Sequence, residues 1–353
     1  MKNQFDRNKI LTHLDVIQDY VQGGTSSPIT VEISLTNVCN HDCPQCSGFR
    51  AEGGLNSIIS TPDAEKIIKD MSECGVKAVT FTGGGDPSMH PDFDYLIKYS
   101  RDLGMDVGLI TNGLSLKERH LANLIPACNW IRVSWDAATP ELHESVHYNG
   151  DLKIKMASPD KFWRVVENTK MLTKYRDQIQ AQSTVGCAFL VGSHTKHEIL
   201  GFAQLASTVG VDYCQYRPFH YTQYDAECES LIRESQEKHQ TDKMKVLFSE
   251  FKFHSMRDKD FERPYDICHG GHFNCHIGAN YNIYVCCHLM NRDFACIGNL
   301  KEHSFIDLWR SKRRTETVNS INVHECVPLC RNDSANRLLE TMKKQNIQHR
   351  NFL

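Results

Sequence analysis

ITVEISLTNVCNHDCPQC, residues 29–46, joins an apolar, β-rich run to three cysteines spaced C-x3-C-x2-C. Sulfur at that density points to a metal. A structural zinc site is closed by four ligands, usually as two pairs. Cys39, Cys43 and Cys46 form a trio instead, with His41 badly placed to complete it and no further cysteine before Cys74. An iron–sulfur cube suits a trio better, since three thiolates hold three irons and leave the fourth iron open. On spacing alone, zinc stays as the alternative.

Outward from this stretch a single pattern repeats from residue 29 to 219, a β-rich run followed by a segment of helical period. The runs are ITVEISLTN (29–37), AVTFTGGGDP (78–87), DVGLITNG (106–113), WIRVSWDA (130–137), STVGCAFLVG (183–192) and VDYCQYRPF (211–219). TPDAEKIIKDMSECG and HPDFDYLIKYSRDLG lie between them and carry helix start and stop signals. Strands and helices alternating at this spacing predict an α/β fold, a partial (β/α)6 TIM-like barrel over 29–220. Ligands bind such sheets at the carboxyl ends of the strands. The unusual residues gather there: the cysteines after strand one, GGGDP ending strand two, TNG ending strand three and SWDA ending strand four.

The flanks read differently. Residues 1–28 form an amphipathic helix (Ile10, Leu14, Ile17, Val21) expected to pack on the barrel, and 221–263 a charged helical connector. Residues 264–335 turn to Cys, His, Asn and Gly and read as a small cysteine-rich α+β domain, followed by a helix and tail over 336–353. With 353 residues, 40% hydrophobic content and a net charge of −3, the chain has ordinary globular composition. It shows no polybasic signature for nucleic acid. Without a signal-peptide core or a bilayer-length apolar run, it is expected to be cytoplasmic and away from membranes. Fifteen cysteines are many for a reducing compartment. Cys74, Cys128, Cys187, Cys214 and Cys228 are scattered in apolar surroundings, and most of them read as plain buried thiols.

The cysteine loop after the first strand, followed by TFTGGGDP, LITNG and VSWDA at the next three strand ends, resembles the radical S-adenosylmethionine (SAM) superfamily. The resemblance covers about 29–219 and implies an enzyme. In that family SAM chelates the unique iron of a [4Fe–4S] cluster. An electron then splits SAM to a 5′-deoxyadenosyl radical, which abstracts a substrate hydrogen atom. Carried over, Cys39, Cys43 and Cys46 are the cluster ligands. Gly83, Gly84 and Gly85 let the backbone approach SAM, with Asp86 beside them. Asn112, Ser134 and Asp136 are polar contacts to ribose or carboxylate, or else ordinary strand-end caps. Two departures stand out. Gln45 occupies the place where the family often puts an aromatic residue, and Gly85-Asp86 replaces the usual motif acid.

The C-terminal cysteines resemble the SPASM/twitch extension of radical SAM enzymes. The matching positions are Cys268, Cys286 or Cys287, Cys326 and Cys330, which imply one auxiliary [4Fe–4S] cluster for electron transfer; zinc in the same cysteines is the alternative. His269, His272, His276 and His288 read as hydrogen-bonded imidazoles.

An auxiliary cluster suggests a substrate radical that loses an electron. Oxidation or epimerisation of a small polar metabolite, sugar- or aminocyclitol-like, is the first expectation. Modification of a ribosomal peptide is the second, and a non-enzymatic metal-binding or sensing protein the third. A flavodoxin or ferredoxin would be the reducing partner. The candidate catalytic residues are Cys214 and Cys275 as hydrogen-returning thiols, with Cys287 and Cys296 spare. Arg217 is the candidate substrate anchor.

Overall fold

Each β-rich run becomes a strand because its alternate residues can be buried against helices on one side and turned inward on the other. The computed structural model of the protein describes residues 6, 8–46, 54–148, 159–219, 226–257, 262–328 and 330–343. Its parallel strands are β1 (Thr30–Ser34), β2 (Ala78–Thr82), β3 (Asp106–Thr111), β4 (Trp130–Ser134), β5 (Thr184–Val191), β6 (Tyr213–Pro218) and β7 (Lys245–Phe248), paired in that order. The helices are α1 (Leu14–Val21), α2 (Thr61–Glu73), α3 (Phe93–Asp102), α4 (Leu121–Ala127), α5 (Pro140–His147), α6 (Pro159–Gln178), α7 (Ile199–Val209), α8 (Ala226–His239), α9 (Glu250–Arg257), α10 (Phe305–Arg310), α11 (Lys312–Asn319) and α12 (Asp333–Lys343). α2 shows how sequence sets an element. The Ser60 hydroxyl accepts from the Asp63 amide at 3.3 Å and Pro62 stands in the first turn. Ala64, Ile67, Ile68 and Met71 then bury on one face.

The C-terminal region continues this sheet. Strands β8 (Asn274–Ile277), β9 (Asn282–Tyr284) and β10 (Cys296–Asn299) complete the order β10-β9-β8-β1-β2-β3-β4-β5-β6-β7. β8 lies parallel to β1, with His276 opposite Glu32, and turns into an antiparallel hairpin with β9. The barrel is partial and open, with β7 and β10 at its two edges.

The two faces of the sheet differ in chemistry. Ile33, Phe81, Leu109, Val133, Phe189 and Tyr216 point outward into the helix layer, and each is fully buried. Full burial of such a side chain contributes about 1.5–3 kcal/mol. Their neighbours along each strand, among them Glu32, Ser34, Thr80, Arg132, Gln215 and Arg217, point inward. The sheet must curl to bring these together. Arg217 on β6 feels the charge of Arg331, which is paired with Glu32 on β1. Five strand spacings of a flat sheet would hold β1 and β6 about 24 Å apart.

Two expectations about the flanks need correction. α1 packs against the C-terminal region rather than the barrel, burying Ile17 and Tyr20 with Phe273 and Leu339 while Leu14 stays 63% exposed. The connector is not wholly helical. Its KVLF becomes β7, because Val246 buries beside β6 and the backbone pairs with Tyr213–Tyr216.

Candidate active site

The cysteine loop is held from three sides. The Thr36 and Val38 carbonyls accept from the Gly85 and Asp86 amides, both at 3.0 Å, which ties the loop to the end of β2. The Asp42 amide donates to the His147 carbonyl at 2.7 Å, tying it to α5. The Cys46 amide donates to the Cys43 carbonyl at 3.1 Å and closes a tight turn. Cys39 and Cys43 are half-buried and Cys46 is exposed.

GGGDP serves this loop directly. A Cβ on Gly85 would lie 2.1 Å from the Val38 carbonyl oxygen, and one on Gly83 would lie 2.5 Å from the Ser34 hydroxyl. At these two positions the missing side chain lets the end of β2 close against β1 and the cysteine loop. The Gly84 amide donates to the Ser34 hydroxyl at 3.1 Å. Asp86 turns toward β3, where its carboxylate accepts from the Asn112 amide at 2.6 Å, the Thr111 hydroxyl at 3.0 Å and the Ser88 amide at 2.9 Å. Burial pushes the Asp86 carboxyl up, against the pull of these bonds. Its acceptor capacity is spent on pinning strand ends.

Asn112 stands beside the first sulfur. Its amide nitrogen lies 3.8 Å from Cys39 Sγ and donates to the Asn40 side-chain oxygen at 2.7 Å. Ser134 is half-buried at the end of β4. Asp136 adopts a left-handed backbone (φ 52°), which an Asp tolerates better than most residues. Its carboxylate accepts from the Leu190 amide at 2.8 Å and approaches His147 Nε2 at 3.9 Å. Burial, more than its neighbours, pushes the Asp136 carboxyl up.

His147 was not legible as a site residue. Its Nδ1 lies 3.1 Å from Cys43 Sγ and its Nε2 lies 3.1 Å from the Trp135 carbonyl oxygen. A carbonyl only accepts, so Nε2 carries the proton and Nδ1 faces the thiol as an acceptor. Burial pushes the His147 imidazole below its ordinary value and so favours its neutral form. His41, Cys43 and His147 offer ligand atoms within 4.8 Å of one another, a set that on chemistry alone suits a metal ion. His143 and Tyr148 pack around them, and burial pushes His143 down to about 2.

At the second cysteine group, Cys268, Cys286, Cys326 and Cys330 converge. Burial first, then Cys330 and Cys326, pushes the Cys268 thiol up to about 12. Burial, then Cys268 and Cys330, does the same to Cys286. Four thiols, Cys268 buried and the other three half-buried, that repel one another as anions gain most from a metal group that neutralises them, so the donor set fits a four-sulfur cluster. Gly271 packs beside them: an added Cβ would lie 3.0 Å from a Val318 methyl and 3.4 Å from Cys268 Sγ. Arg263 donates to the carbonyls of Cys326 and Val327 at 3.1 and 2.8 Å and shapes the loop that carries the last two sulfurs.

The adjacent pair divides. Cys286 is fully extended (φ −159°, ψ 169°), so it and Cys287 point to opposite sides. Cys286 joins the other three thiols, whereas Cys287 faces the barrel interior, 2.7 Å from an Arg331 Nη atom. Arg331 also forms a two-pronged pair with Glu32. Burial opposes ionisation of Glu32, but Arg331 and His276 together hold its carboxyl well below the usual range. His276 reaches Ser34 Oγ at 2.9 Å and Glu32 at 3.5 Å, so β1, β8 and the C-terminal loop meet in one network. His269 likewise bridges Tyr20 and Glu340 at 2.7 and 2.8 Å, and His272 reaches Asn319 at 3.3 Å.

Cys214 and Cys275 lie elsewhere. Cys214 shares the outer face of β6 with Tyr216, whose hydroxyl bonds the Ile199 carbonyl of α7. Cys275 shares the outer face of β8 with Ile277 and feels Arg314 and Cys74. Strand parity therefore turns both thiols away from the barrel interior, correcting the expectation that they return hydrogen there. Cys296 sits on β10, near the Gly298 carbonyl at 3.9 Å. Arg217 does face the interior, half-buried, beside Arg132.

Comparison with known proteins agrees with this layout. The model of the radical SAM superfamily matches residues 33–206, and that of the SPASM iron–sulfur cluster-binding domain matches residues 268–332. A probable GTP 3′,8-cyclase of Saccharolobus islandicus is 28% identical over 183 residues, 52% of this chain and 54% of that protein. The chain thus spans about half the length of these curated relatives. An AdoMet-dependent heme synthase of Methanosarcina barkeri is 23% identical over 321 residues, covering 81% of this chain and 83% of that one. Among solved structures, SuiB of Streptococcus suis bound to its precursor peptide SuiA superposes with a TM-score of 0.67 at 13% identity, covering 96% of this chain and 78% of SuiB. That likeness is one of fold. Among the described residues no helix is long and apolar enough to cross a membrane.

Proposed function

Because the chain belongs to the radical SAM superfamily and carries a C-terminal SPASM iron–sulfur cluster-binding domain, we propose that it is an enzyme that oxidises a small polar substrate held inside the barrel. A [4Fe–4S] cluster with SAM, and auxiliary iron–sulfur, are the cofactors of these two domains. Bound, they supply a 5′-deoxyadenosyl radical to take a hydrogen atom and a one-electron sink for what remains. The rest falls to the chain. Cys39, Cys43 and Cys46 would hold the first cluster, with Asn112 orienting Cys39 and His147 packed beside the Cys43 sulfur. Cys268, Cys286, Cys326 and Cys330 hold one auxiliary cluster. Gly83 and Gly85 keep the first loop seated, and Asp86 and Asp136 pin the strand ends around it.

The observation that carries this reading is the divided pair at 286–287. One backbone step separates a sulfur among the cluster thiols from a sulfur facing the barrel interior, which gives an electron a short path between them. Oxidation needs such a path. Cys287, rather than Cys214 or Cys275, is then the thiol available to any epimerisation. A flavodoxin or ferredoxin would deliver the reducing electron. A ribosomal peptide substrate is the second reading; it rests on the peptide that SuiB holds, hence on fold alone.

Iron and sulfide counting after anaerobic reconstitution tests the proposal. Two cubane clusters require about eight irons per chain. Cys268→Ala should lower this to about four while SAM cleavage persists in part. About four irons in the unaltered protein would remove the auxiliary cluster and the oxidation reading with it.

A further inference from the structure

Among the described residues, more cationic than anionic side chains face the barrel interior. On β4, Trp130, Arg132 and Ser134 alternate with Ile131 and Val133, which are fully buried in the outer layer, so Arg132 points inward. On β6 the same parity turns Tyr213, Gln215 and Arg217 inward. Two rings close the floor: Trp130 lies over Gly108 and Tyr213 over Gly186, where an added Cβ would meet each ring at 2.2 Å. Above this floor β5 places the small side chain of Ala188 at the level of Ser134 and Gln215, between the strands that carry the two arginines.

Among the described residues three arginines, Arg132, Arg217 and Arg331, meet two carboxylates there, with Lys252 close by. Both carboxylates act on Arg132 through space, and Asp136 also on Arg217, but their hydrogen bonds go to other groups. Glu32 is gripped by Arg331, and Asp136 accepts from the Leu190 amide and faces His147. Neither the Arg132 nor the Arg217 guanidinium has a hydrogen-bond or ion-pair partner among the described residues. Arg132 Nε is buried without one, as is the Gln215 side-chain oxygen. The cost of this crowding is visible in the neighbours. Arg132 first, then burial, pushes Arg217 down to about 9, and burial together with these arginines pushes Lys252 well below its usual value. Desolvated like charges with unmet donors are an expensive arrangement unless an anion completes it. Guanidinium forks match the oxygens of carboxylate and phosphate groups.

We propose that Arg132 and Arg217, with Lys252 beside them, form an oxyanion-binding site inside the barrel that seats a carboxylate or phosphate group of the substrate. The proposal rests on the reading of the barrel interior as the substrate chamber, and it narrows the substrate class to anions. The site lies on the arc of β4, β6 and α9, and Asp136 stands between it and His147 beside the cysteine loop. SAM carries a carboxylate of its own and is the competing occupant.

The test is anaerobic calorimetric titration of the cluster-loaded protein with inorganic phosphate, and in a second arm with succinate. Saturable binding of either anion, weakened about tenfold or more by Arg132→Gln and by Arg217→Gln, is the expected result. The arm that binds tells whether phosphate or carboxylate is recognised. Arg217→Lys keeps the charge but loses the fork and should bind more tightly than Arg217→Gln, which separates loss of the site from loss of the fold. SAM affinity, measured in the same samples, should change less than about twofold, far short of the effect expected for losing a charge-assisted contact. No saturable binding of either anion by the unaltered protein, or binding unmoved in the Arg132→Gln/Arg217→Gln double variant, would overturn the proposal. So would a parallel loss of SAM affinity, which would assign the arginines to SAM. Formation of 5′-deoxyadenosine without substrate is followed alongside. Its absence would sink the radical reading and leave the anion titration to stand or fall by itself.

Discussion

Arg331→Met should unseat the C-terminal loop from the barrel, and its cost can be worked from the contacts. Glu32 has a side chain 9% exposed and is gripped by both Arg331 nitrogens. Removing one partner of a buried ion pair strands the other charge, at about 3–5 kcal/mol. The Arg331 side chain keeps 40% of its exposure, so solvent screens part of the pair and the loss falls nearer about 2–3 kcal/mol. With a urea slope of about 3 kcal/mol/M, the midpoint should drop by roughly 0.7–1 M. Anaerobic urea titration followed by tryptophan fluorescence reads this directly. Glu32→Gln/Arg331→Met should recover much of the loss, since no unpaired charge remains. The pH dependence has a definite sign. The folded Glu32 carboxyl is held below its unfolded value, so the pair's contribution is fully present above about pH 4.3 and fades as pH falls through the folded value. The gap between unaltered and Arg331→Met protein should therefore be constant above about pH 5 and close in acid. Single variants that move the midpoint by less than about 0.2 M, or penalties that merely add in the double variant, would refute the reasoning.

Other expectations follow from single contacts. Cys286→Ala should lose about four irons per chain and Cys287→Ala almost none, because only the first sulfur joins the cluster thiols; iron analysis decides between them. Gly85→Ala places a Cβ 2.1 Å from the Val38 carbonyl, so the cysteine loop must shift. A loss of more than about 2 kcal/mol in stability and weaker SAM binding by equilibrium dialysis are expected. Asp86→Ala leaves the Thr111 hydroxyl and the Asn112 and Ser88 amides without their acceptor. It should cost about 2–4 kcal/mol in the same urea assay, whereas Asp86→Asn should cost less.

Much of this architecture was legible because it is local. Alternating strands and helices predicted the barrel, and the side chains at four successive strand ends pointed to one end of it. What escaped the sequence was long-range or hidden in parity. His147 meets Cys43 across 104 residues and Arg331 meets Glu32 across 299, separations that no spacing rule spans. β7 hid in a charged segment whose four strand residues are too few to break the helical pattern around them. The choice of Cys286 over Cys287 turned on a single extended residue. The outward turn of Cys214, by contrast, was within reach. Its two-residue spacing from Tyr216 puts both on one face of the strand, and a charged residue such as Arg132 or Glu32 in an otherwise apolar strand signals the inward face.

The central claim is that Cys39, Cys43 and Cys46 present a cluster at which SAM is split. Anaerobically reconstituted protein incubated with SAM and dithionite, and assayed for 5′-deoxyadenosine by liquid chromatography, tests it most directly. The unaltered chain and Cys268→Ala should both form the nucleoside, while Cys43→Ala should form none. No 5′-deoxyadenosine from the iron-loaded unaltered chain, or equal amounts from Cys43→Ala, would contradict it.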